Sequence, residues 1–477
     1  MRKPTMPDNN VLEKTSDQRF GSKESLKTNE ILVLTMDNHL TTVFNKIAAN
    51  LSGKHSKLKL KTFVASDWSN DEKVLEDCKK SIASSKIIFV SMLFMEDHFK
   101  PILRNLKERR ESCDAMVCIM SAPEVSSLTR MGRLDMSKPA SGALAFLKKL
   151  RGKESNGSGP RKPPGESQMR ILRKLPKFLK FIPGTAQDLR VYFLSLQYWL
   201  SGSEENMFSL ILMLIDKYMV NLSISSLPDF SYSAPKEYPE IGVYHPRIKG
   251  KIAGSAQQLP KVVSKKAKKG TVGLIVLRSY LLAGNTGHYD GIIAALESRG
   301  IEVIPCFSMG LDARPAIEKF FFSNGKANID TLLSLTGFSL VGGPAYNDSE
   351  AAKVILGELN VPYISAHPLE FQSLDAWEDS ATGLLPVENT IMVAIPELDG
   401  AVSPMVYGGR RELKSSAENN NISKLNASGN SSLEMTFCSE RVSKLAGKIE
   451  KIINLRKKSI AEKKVGFVIF NFPPNCS

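Results

Sequence analysis

The chain alternates short apolar runs with stretches in which apolar residues recur every three or four positions. Four early runs have the length and continuity of strands buried on both faces: ILVLTM (31–36), TFVAS (62–66), IIFVSMLF (87–94) and AMVCIM (115–120). The stretches between these runs have helical spacing. Strands that alternate with helices in this way predict a parallel sheet covered on both faces, so we predict a doubly wound α/β domain over residues 29–150.

A second series of the same kind begins at residue 271. Its predicted strands cover 271–279, 301–307, 336–341 and 361–366. After an Asn/Ser-rich loop at 411–434, the pattern predicts a basic helix over 436–460 and a further strand within 463–475. The predicted fold class is therefore α/β, with two doubly wound, mainly parallel-sheet lobes.

A helical layer, residues 168–246, is predicted to join the two lobes and to complete the first of them. The segments DLRVYFLSLQYWL and ENMFSLILMLIDKYM are predicted to form two packed helices. Before them, MRILRKLPKFLKFIPG carries apolar residues at helical spacing opposite a basic face. We interpret this segment as part of the helical layer, although a basic amphipathic helix can also lie on a membrane surface.

The remaining segments are predicted to be a tail and two linkers. Residues 1–28 are polar and lack periodicity, which predicts a disordered tail. Residues 151–167 are predicted to be a flexible linker, and residues 247–270 a basic linker. The two basic stretches, 148–180 and 247–269, together carry more than the net charge of +15, so the rest of the chain is close to neutral. Such stretches can bind nucleic acid, but solvated linkers are the interpretation we favour.

Composition and short motifs exclude several functional classes. No apolar run approaches the roughly 18 residues of a membrane-spanning helix. The six cysteines form no CxxC pair, and several lie in apolar runs, which favours buried thiols in a reducing compartment. The first predicted strand is not followed by GxGxxG, and the chain has no GxxxxGK[ST] loop, so neither a dinucleotide site nor a phosphate loop is predicted.

Several segments resemble one known family. TGFSLVGGPA (336–345), VPYISAHPLEFQS (361–373), AIPELDGAVSPMVYGGR (394–410), LRSYLLAGNTGHY (277–289) and NFPPN (471–475) resemble the H-type large polypeptide of magnesium chelatase. The related cobalt-inserting protein shares the later pieces. SMLFMEDHF and LPKFLKFIPGTAQDLRVYFLSLQYWLSGS in the first half resemble the magnesium enzyme's own amino-terminal domain, which favours magnesium over cobalt.

The resemblance implies a function that the residues alone do not show. It implies a porphyrin-binding subunit that inserts Mg²⁺ into protoporphyrin IX in chlorophyll synthesis, with ATP bound by two ATPase-type partner subunits and not by this chain. Family members continue far past residue 475, so residues 271–477 are expected to be the start of the large chelatase domain. We therefore expect a truncated chain that is inactive alone. The expected compartment is the plastid stroma in a eukaryote or the cytoplasm in a bacterium; no clear transit peptide is present.

Candidate ligand-binding residues lie at two glycine turns. Asn285, Thr286, Gly287 and His288 stand at a predicted helix start, where free backbone N–H groups can receive an anion such as a porphyrin propionate; a plain strand-to-helix turn is the alternative. Gly342 and Gly343 form either a ligand-facing loop or a tight turn.

No catalytic or metal-binding residue is predicted. His367 and Glu370 are interpreted as a loop pair rather than a metal site, because no pair in the chain has convincing metal-ligand spacing. Two rival functions remain: a non-catalytic module that binds porphyrin or a partner, and a basic nucleic-acid-binding protein. We favour the chelatase interpretation, with no nucleic-acid partner and with peripheral membrane contact left open.

Overall fold

The computed structural model describes residues 29–138, 175–176, 179–220, 222–343, 347–412 and 433–468. The first sheet has six strands in the order β2–β1–β3–β4–β5–β6. They are β1 (Asn29–Thr35), β2 (Leu58–Val64), β3 (Ile87–Ser91), β4 (Ala115–Ile119), β5 (Arg130–Met131) and β6 (Leu134–Asp135). Strands β1 to β4 are parallel, and β5 and β6 add an antiparallel edge.

Helices cover both faces of this sheet because its central strands are apolar on both sides. Ile31 and Val33 face one core and Leu32 and Leu34 face another, as the alternation of side chains along a strand requires. The first core is closed by α1 (Thr41–Lys54), α6 (Thr185–Leu200) and α7 (Glu204–Tyr218). The second is closed by α2 (Ala65–Asn70), α3 (Glu72–Ser84), α4 (Glu96–Arg109) and α5 (Pro123–Ser126).

The second sheet has eight strands in the order β16–β15–β14–β13–β9–β10–β7–β8. They are β7 (Ile241–Tyr244), β8 (Ile252–Ala253), β9 (Gly270–Ile275), β10 (Ile301–Ser308), β13 (Thr331–Ser334), β14 (Tyr363–Ser373), β15 (Val402–Glu412) and β16 (Leu433–Phe437). The five strands from β15 to β10 are parallel, whereas β16, β7 and β8 are antiparallel. A separate small hairpin joins β11 (Phe322–Ser323) and β12 (Lys326–Ala327).

Helices again pack on both faces. One face carries α8 (Arg278–Ala283), α9 (Gly287–Ser298) and α15 (Ser439–Lys457), and the other carries α10 (Arg314–Phe320) and α11 (Ser349–Leu359). Between β14 and β15 the chain forms α12 (Leu374–Glu378), α13 (Pro386–Glu388), a π-helical turn at Asn389–Ala394 and α14 (Ile395–Asp399). Among the described residues, no helix combines the length and apolar character needed to cross a membrane.

The predicted fold class is confirmed. Both sheets are mainly parallel and doubly wound, and the two predicted helices of the helical layer form as α6 and α7. They lie between the sheets in chain order and pack against the first one. The predicted tail 1–28, the linker 151–167 and most of the amphipathic segment before residue 184 lie outside the described residues.

Three details of the second unit differ from the prediction. The strand predicted at 336–341 is wrong, because the strand is Thr331–Ser334; Gly337 at φ 74° starts an irregular loop whose Leu340 and Val341 still pack into the core. The sheet also begins before residue 271, since β7 and β8 form its edge. Within the predicted basic linker, Lys268 and Lys269 pair with Glu302 and Glu450. Finally, residues 463–468 form no strand: they are exposed and pair with no neighbouring strand, and residues 469–477 lie outside the described part.

Candidate functional site

Residues at or just beyond the carboxyl ends of strands from the two sheets meet at one place, which we call the junction. It comprises Asp37, Asn38, His39 and Asp67 of the first unit and Tyr280, Glu370 and Arg410 of the second. The Asn38 side-chain amide donates to the backbone oxygen of Glu370 over 3.4 Å, and the Arg410 guanidinium lies 3.7 Å from the Asp67 carboxylate. The His39 and Tyr280 rings are 5.5 Å apart. In doubly wound sheets, ligand sites lie outside the carboxyl ends of the strands, so the junction is the candidate functional site.

Strand topology brings these residues together. Asp37 and Asn38 follow β1 directly, and Asp67 lies in α2, which begins where β2 ends. Tyr280 lies in α8, just after β9, while Glu370 and Arg410 lie in the carboxyl-terminal parts of β14 and β15. The Trp199 indole N–H fixes Asp37 by donating to its carboxylate over 3.2 Å.

Burial determines the protonation of the junction. It raises the pKa of Glu370, and the nearby charge of Asp37 acts in the same direction, while a hydrogen bond with Tyr280 and the charge of Arg410 oppose the change. Burial also lowers the pKa of His39. At neutral pH, His39 is therefore uncharged, and Glu370 keeps its proton to a higher pH than an exposed glutamate does.

The first predicted turn, Asn285 to His288, lies at the start of α9 and is packed inside the second unit. The Asn285 side-chain oxygen accepts a hydrogen bond from the backbone N–H of Met435 over 3.0 Å. Thr286 precedes the helix without capping it through its side chain; its hydroxyl donates to Asp290. A Cβ placed on Gly287 would lie 2.7 Å from the Met435 carbonyl oxygen. The helix start therefore lies directly against β16, and ligand binding there stays a prediction.

His288 is fully buried among tyrosines. Its ring centroid lies 3.8 Å from that of Tyr289 and 5.2 Å from that of Tyr280. Neither ring nitrogen has a hydrogen-bond partner among the described residues, and burial lowers the pKa of His288 to about 3. His288 is therefore a neutral imidazole at physiological pH, and its ring lies next to that of Tyr280, a junction residue.

The second predicted turn, Gly342–Gly343, lies elsewhere, at the carboxyl end of β13. The backbone N–H of Gly342 donates to the Leu311 oxygen over 2.9 Å, and a Cβ on Gly343 would meet the Leu311 side chain. The loop is also held by Asp399, which accepts from the Ser339 hydroxyl and the Leu340 N–H over 2.9 and 2.7 Å. A cavity of about 20 Å³ beside this loop has room for about one water molecule. This turn therefore packs against Leu311, and a ligand role here also stays a prediction.

His367 and Glu370 both lie on β14 rather than in a loop. His367 is buried, and burial lowers its pKa to about 4, whereas Glu370 belongs to the junction. The described ranges contain no group of three or more His, Cys, Asp or Glu side chains placed to hold a metal ion.

Of the junction residues, sequence reasoning considered only Glu370 as part of a pair, and Asp67, Tyr280 and Arg410 are among those that it missed. Arg410 ends the GGR motif, whose two glycines let β15 lie close against neighbouring backbone, with Gly409 packed against Leu369. Asp67 and Tyr280 each follow a predicted strand. Within a single sheet, this position indicates a candidate site residue, because ligands bind beyond the carboxyl ends of the strands. No local pattern indicates that residues more than 300 positions apart meet.

Comparison with known proteins finds matches along most of the chain. The sequence profile of CobN/Magnesium Chelatase matches residues 196–477, and that of Domain of unknown function (DUF3479) matches residues 30–193. The magnesium-chelatase H protein of Cereibacter sphaeroides is 44% identical over 93% of this chain and 36% of its own length. The chloroplastic magnesium-chelatase protein ChlH of Oryza sativa subsp. indica is 31% identical over 85% of this chain and 28% of its own. The solved catalytic subunit of cobaltochelatase from Mycobacterium tuberculosis aligns with a TM-score of 0.47 and 17% identity, over 91% of this chain and 28% of that chain.

Fold and site define a two-sheet α/β protein whose parallel strands converge on a shared polar junction. The chain belongs to the CobN/magnesium chelatase family, because that profile matches more than half of its residues. It spans about a third of the length of the curated relatives that it matches.

Proposed function

We propose that the chain acts within the large, porphyrin-binding subunit of a magnesium chelatase. Its substrates are protoporphyrin IX and Mg²⁺, its pathway is chlorophyll or bacteriochlorophyll synthesis, and two partner subunits bind the ATP. The observation that carries this proposal is the 44% identity to a magnesium-chelatase H protein, which extends through both sheet units over 93% of the chain. The expected compartment is the cytoplasm of a bacterium or the plastid stroma.

The junction supports a binding role for this part of the subunit. It combines aromatic rings, from His39 and Tyr280, with titratable groups whose pKa values burial shifts, down for His39 and up for Glu370. Ligand sites in proteins are commonly of this kind: they lie between structural units and place a few polar groups among apolar and aromatic ones. Protoporphyrin IX has a flat apolar ring and two carboxylates, which matches this chemistry.

Titration with deuteroporphyrin IX, a soluble porphyrin, tests the binding role. Trp199 donates to Asp37 at the junction, so a bound porphyrin should quench tryptophan fluorescence saturably and shift the porphyrin absorption band. The matched control is free tryptophan at equal concentration in the same buffer, which corrects for inner-filter loss. If titration produces no quenching and no shift of the absorption band, porphyrin binding by this chain is refuted.

A reconstituted assay tests the place of the chain in the complex. The chain is mixed with both ATPase-type partner subunits, Mg²⁺, ATP and deuteroporphyrin, and the fluorescence of the metallated porphyrin is followed. We expect ATP binding only when the partners are present, as measured with a fluorescent ATP analogue. Saturable binding of the analogue to the chain alone would contradict the assignment of ATP to the partners.

A further inference from the structure

Arg410 is buried without a hydrogen bond. Only 7% of the residue is exposed, yet its side chain makes no hydrogen bond to any residue that the structure describes. The Nε atom is wholly enclosed and has no acceptor in that part of the chain. The ionic contact recorded for it is the 3.7 Å approach of Nη1 to Asp67 in the other unit. A guanidinium has five N–H donors, and within the described residues its enclosed Nε–H is a donor that no acceptor meets.

Two other arginines of this chain have hydrogen-bond acceptors. Arg411, the next residue on β15, donates to Asp375 over 2.9 Å and to Glu378 over 2.7 Å. The buried Arg110 donates to the Leu128 backbone oxygen and to Asp135. A buried donor without an acceptor is costly, so the enclosed Nε–H of Arg410 points to an acceptor that comes from outside the chain.

The acids of the junction do not supply that acceptor. Asp67 stays beyond hydrogen-bond length from Arg410, and its Oδ1 also accepts from the Ser66 hydroxyl over 3.2 Å. Glu370 is hydrogen-bonded to Tyr280, and burial raises its pKa, which weakens it as a counter-ion. Asp37 is held by Trp199. Arg410 is therefore the group at the junction that can bind a planar anion, by donating hydrogen bonds to it.

We propose that the junction binds a carboxylate group, which Arg410 holds through its guanidinium in place of the long contact with Asp67. Arginine and carboxylate match as a bidentate pair, which is why this residue type suits a planar anion. The carboxylate can come from a porphyrin propionate or from a small free carboxylic acid. The porphyrin source rests on the proposed function, whereas the carboxylate chemistry at Arg410 does not.

The test compares three substitutions in the full chain: Arg410→Gln, Asp67→Asn and the matched control Arg411→Gln. Affinity is measured for deuteroporphyrin IX, for its dimethyl ester, which lacks the carboxylates, and for succinate. We expect the wild-type chain to bind the porphyrin acid more tightly than its ester, or to bind succinate. Arg410→Gln should weaken the affinity for the carboxylate probe by about tenfold, which corresponds to loss of about one charge-assisted pair. Arg411→Gln should leave the affinities for all three probes unchanged. Asp67→Asn should tighten carboxylate binding severalfold, because it removes the competing anion.

The outcomes separate this inference from its rivals. If Arg410→Gln binds all three probes as the wild type does, the inference is wrong. If Asp67→Asn weakens carboxylate binding as much as Arg410→Gln does, the Asp67–Arg410 ion pair serves only to join the two units, and the inference is again wrong. If porphyrin fails to bind but succinate binding depends on Arg410, the carboxylate site stands and the proposed function falls. If the wild-type chain binds neither porphyrin nor succinate, the carboxylate site and the proposed function are both refuted. Should Arg410→Gln fail to fold, as judged by circular dichroism, the direction of the Asp67→Asn effect decides.

Discussion

Replacing Gly291 by Ala should destabilise the second unit. Gly291 lies in the middle of α9, where the helix crosses the end of β16. A Cβ at this position would lie 2.8 Å from the Cβ of Phe437 and closer still to its ring. Since the clash includes an atom next to the backbone, rotation of the Phe437 ring cannot remove it, and α9 or β16 must shift.

Two effects of opposite sign determine the magnitude. Alanine is favoured over glycine within a helix by about 1 kcal/mol. Forcing extra volume into a packed contact costs roughly 1–3 kcal/mol. Because three atoms of Phe437 make such short contacts, we expect the upper part of that range, and thus a net destabilisation of roughly 1–2 kcal/mol.

Gly357 provides the matched control. It also lies within a helix, α11, but a Cβ there would meet nothing within 4 Å. Gly357→Ala should therefore stabilise the chain by about 0.5–1 kcal/mol through helix propensity alone. Urea unfolding followed by circular dichroism, with calorimetry as a second measurement, compares both variants with the wild-type chain. If Gly291→Ala is as stable as Gly357→Ala, the close contact between α9 and β16 is refuted.

Three further predictions concern buried titratable groups. Because burial lowers the pKa of His288 to about 3 and the unfolded chain keeps its ordinary value near 6.5, stability should be lost as pH falls below 6.5, by about 2 kcal/mol at pH 5. A His288→Gln variant whose urea midpoint falls just as steeply between pH 7 and 5 would contradict this. Asp399→Ala removes the carboxylate that holds Ser339 and Leu340 and should lower the free energy of unfolding by about 2 kcal/mol. Asp379→Ala, at an exposed position, should lower it by almost nothing. Equal urea midpoints for the two variants would show that the Asp399 hydrogen bonds do not stabilise the fold. Burial raises the pKa of Cys118 to about 12, so iodoacetamide at pH 8 should label it only after unfolding, as peptide mass spectrometry can check; rapid labelling of the native chain would show that the thiol is accessible.

Much of the fold can be predicted because the strands are continuous apolar runs. ILVLTM and AMVCIM mark β1 and β4 to within a residue or two, since strands buried on both faces tolerate few polar residues. The same reasoning fails at 336–341, where the apolar Leu340 and Val341 pack from a loop. Apolar character records burial, and burial does not distinguish a strand from a loop that is folded into the core.

The sites are less predictable than the fold. The pattern at Asn285–His288 correctly predicts the start of a helix, but its burial against β16 depends on a strand about 150 residues further along the chain. The short edge strands β7 and β8 have too few residues for a periodic signal, and they form because β10 offers an open edge.

The sequence by itself determined the two α/β series, the helices between them and the family, because each depends on patterns within short windows or on whole-length similarity. Tertiary structure alone decided the junction. Asp67 and Arg410 meet because the carboxyl ends of two separate sheets face the same place, which is a consequence of strand order and packing. The same packing removes Arg410 and His288 from water. It leaves the Nε–H of Arg410 without an acceptor among the described residues, and it lowers the pKa of His288.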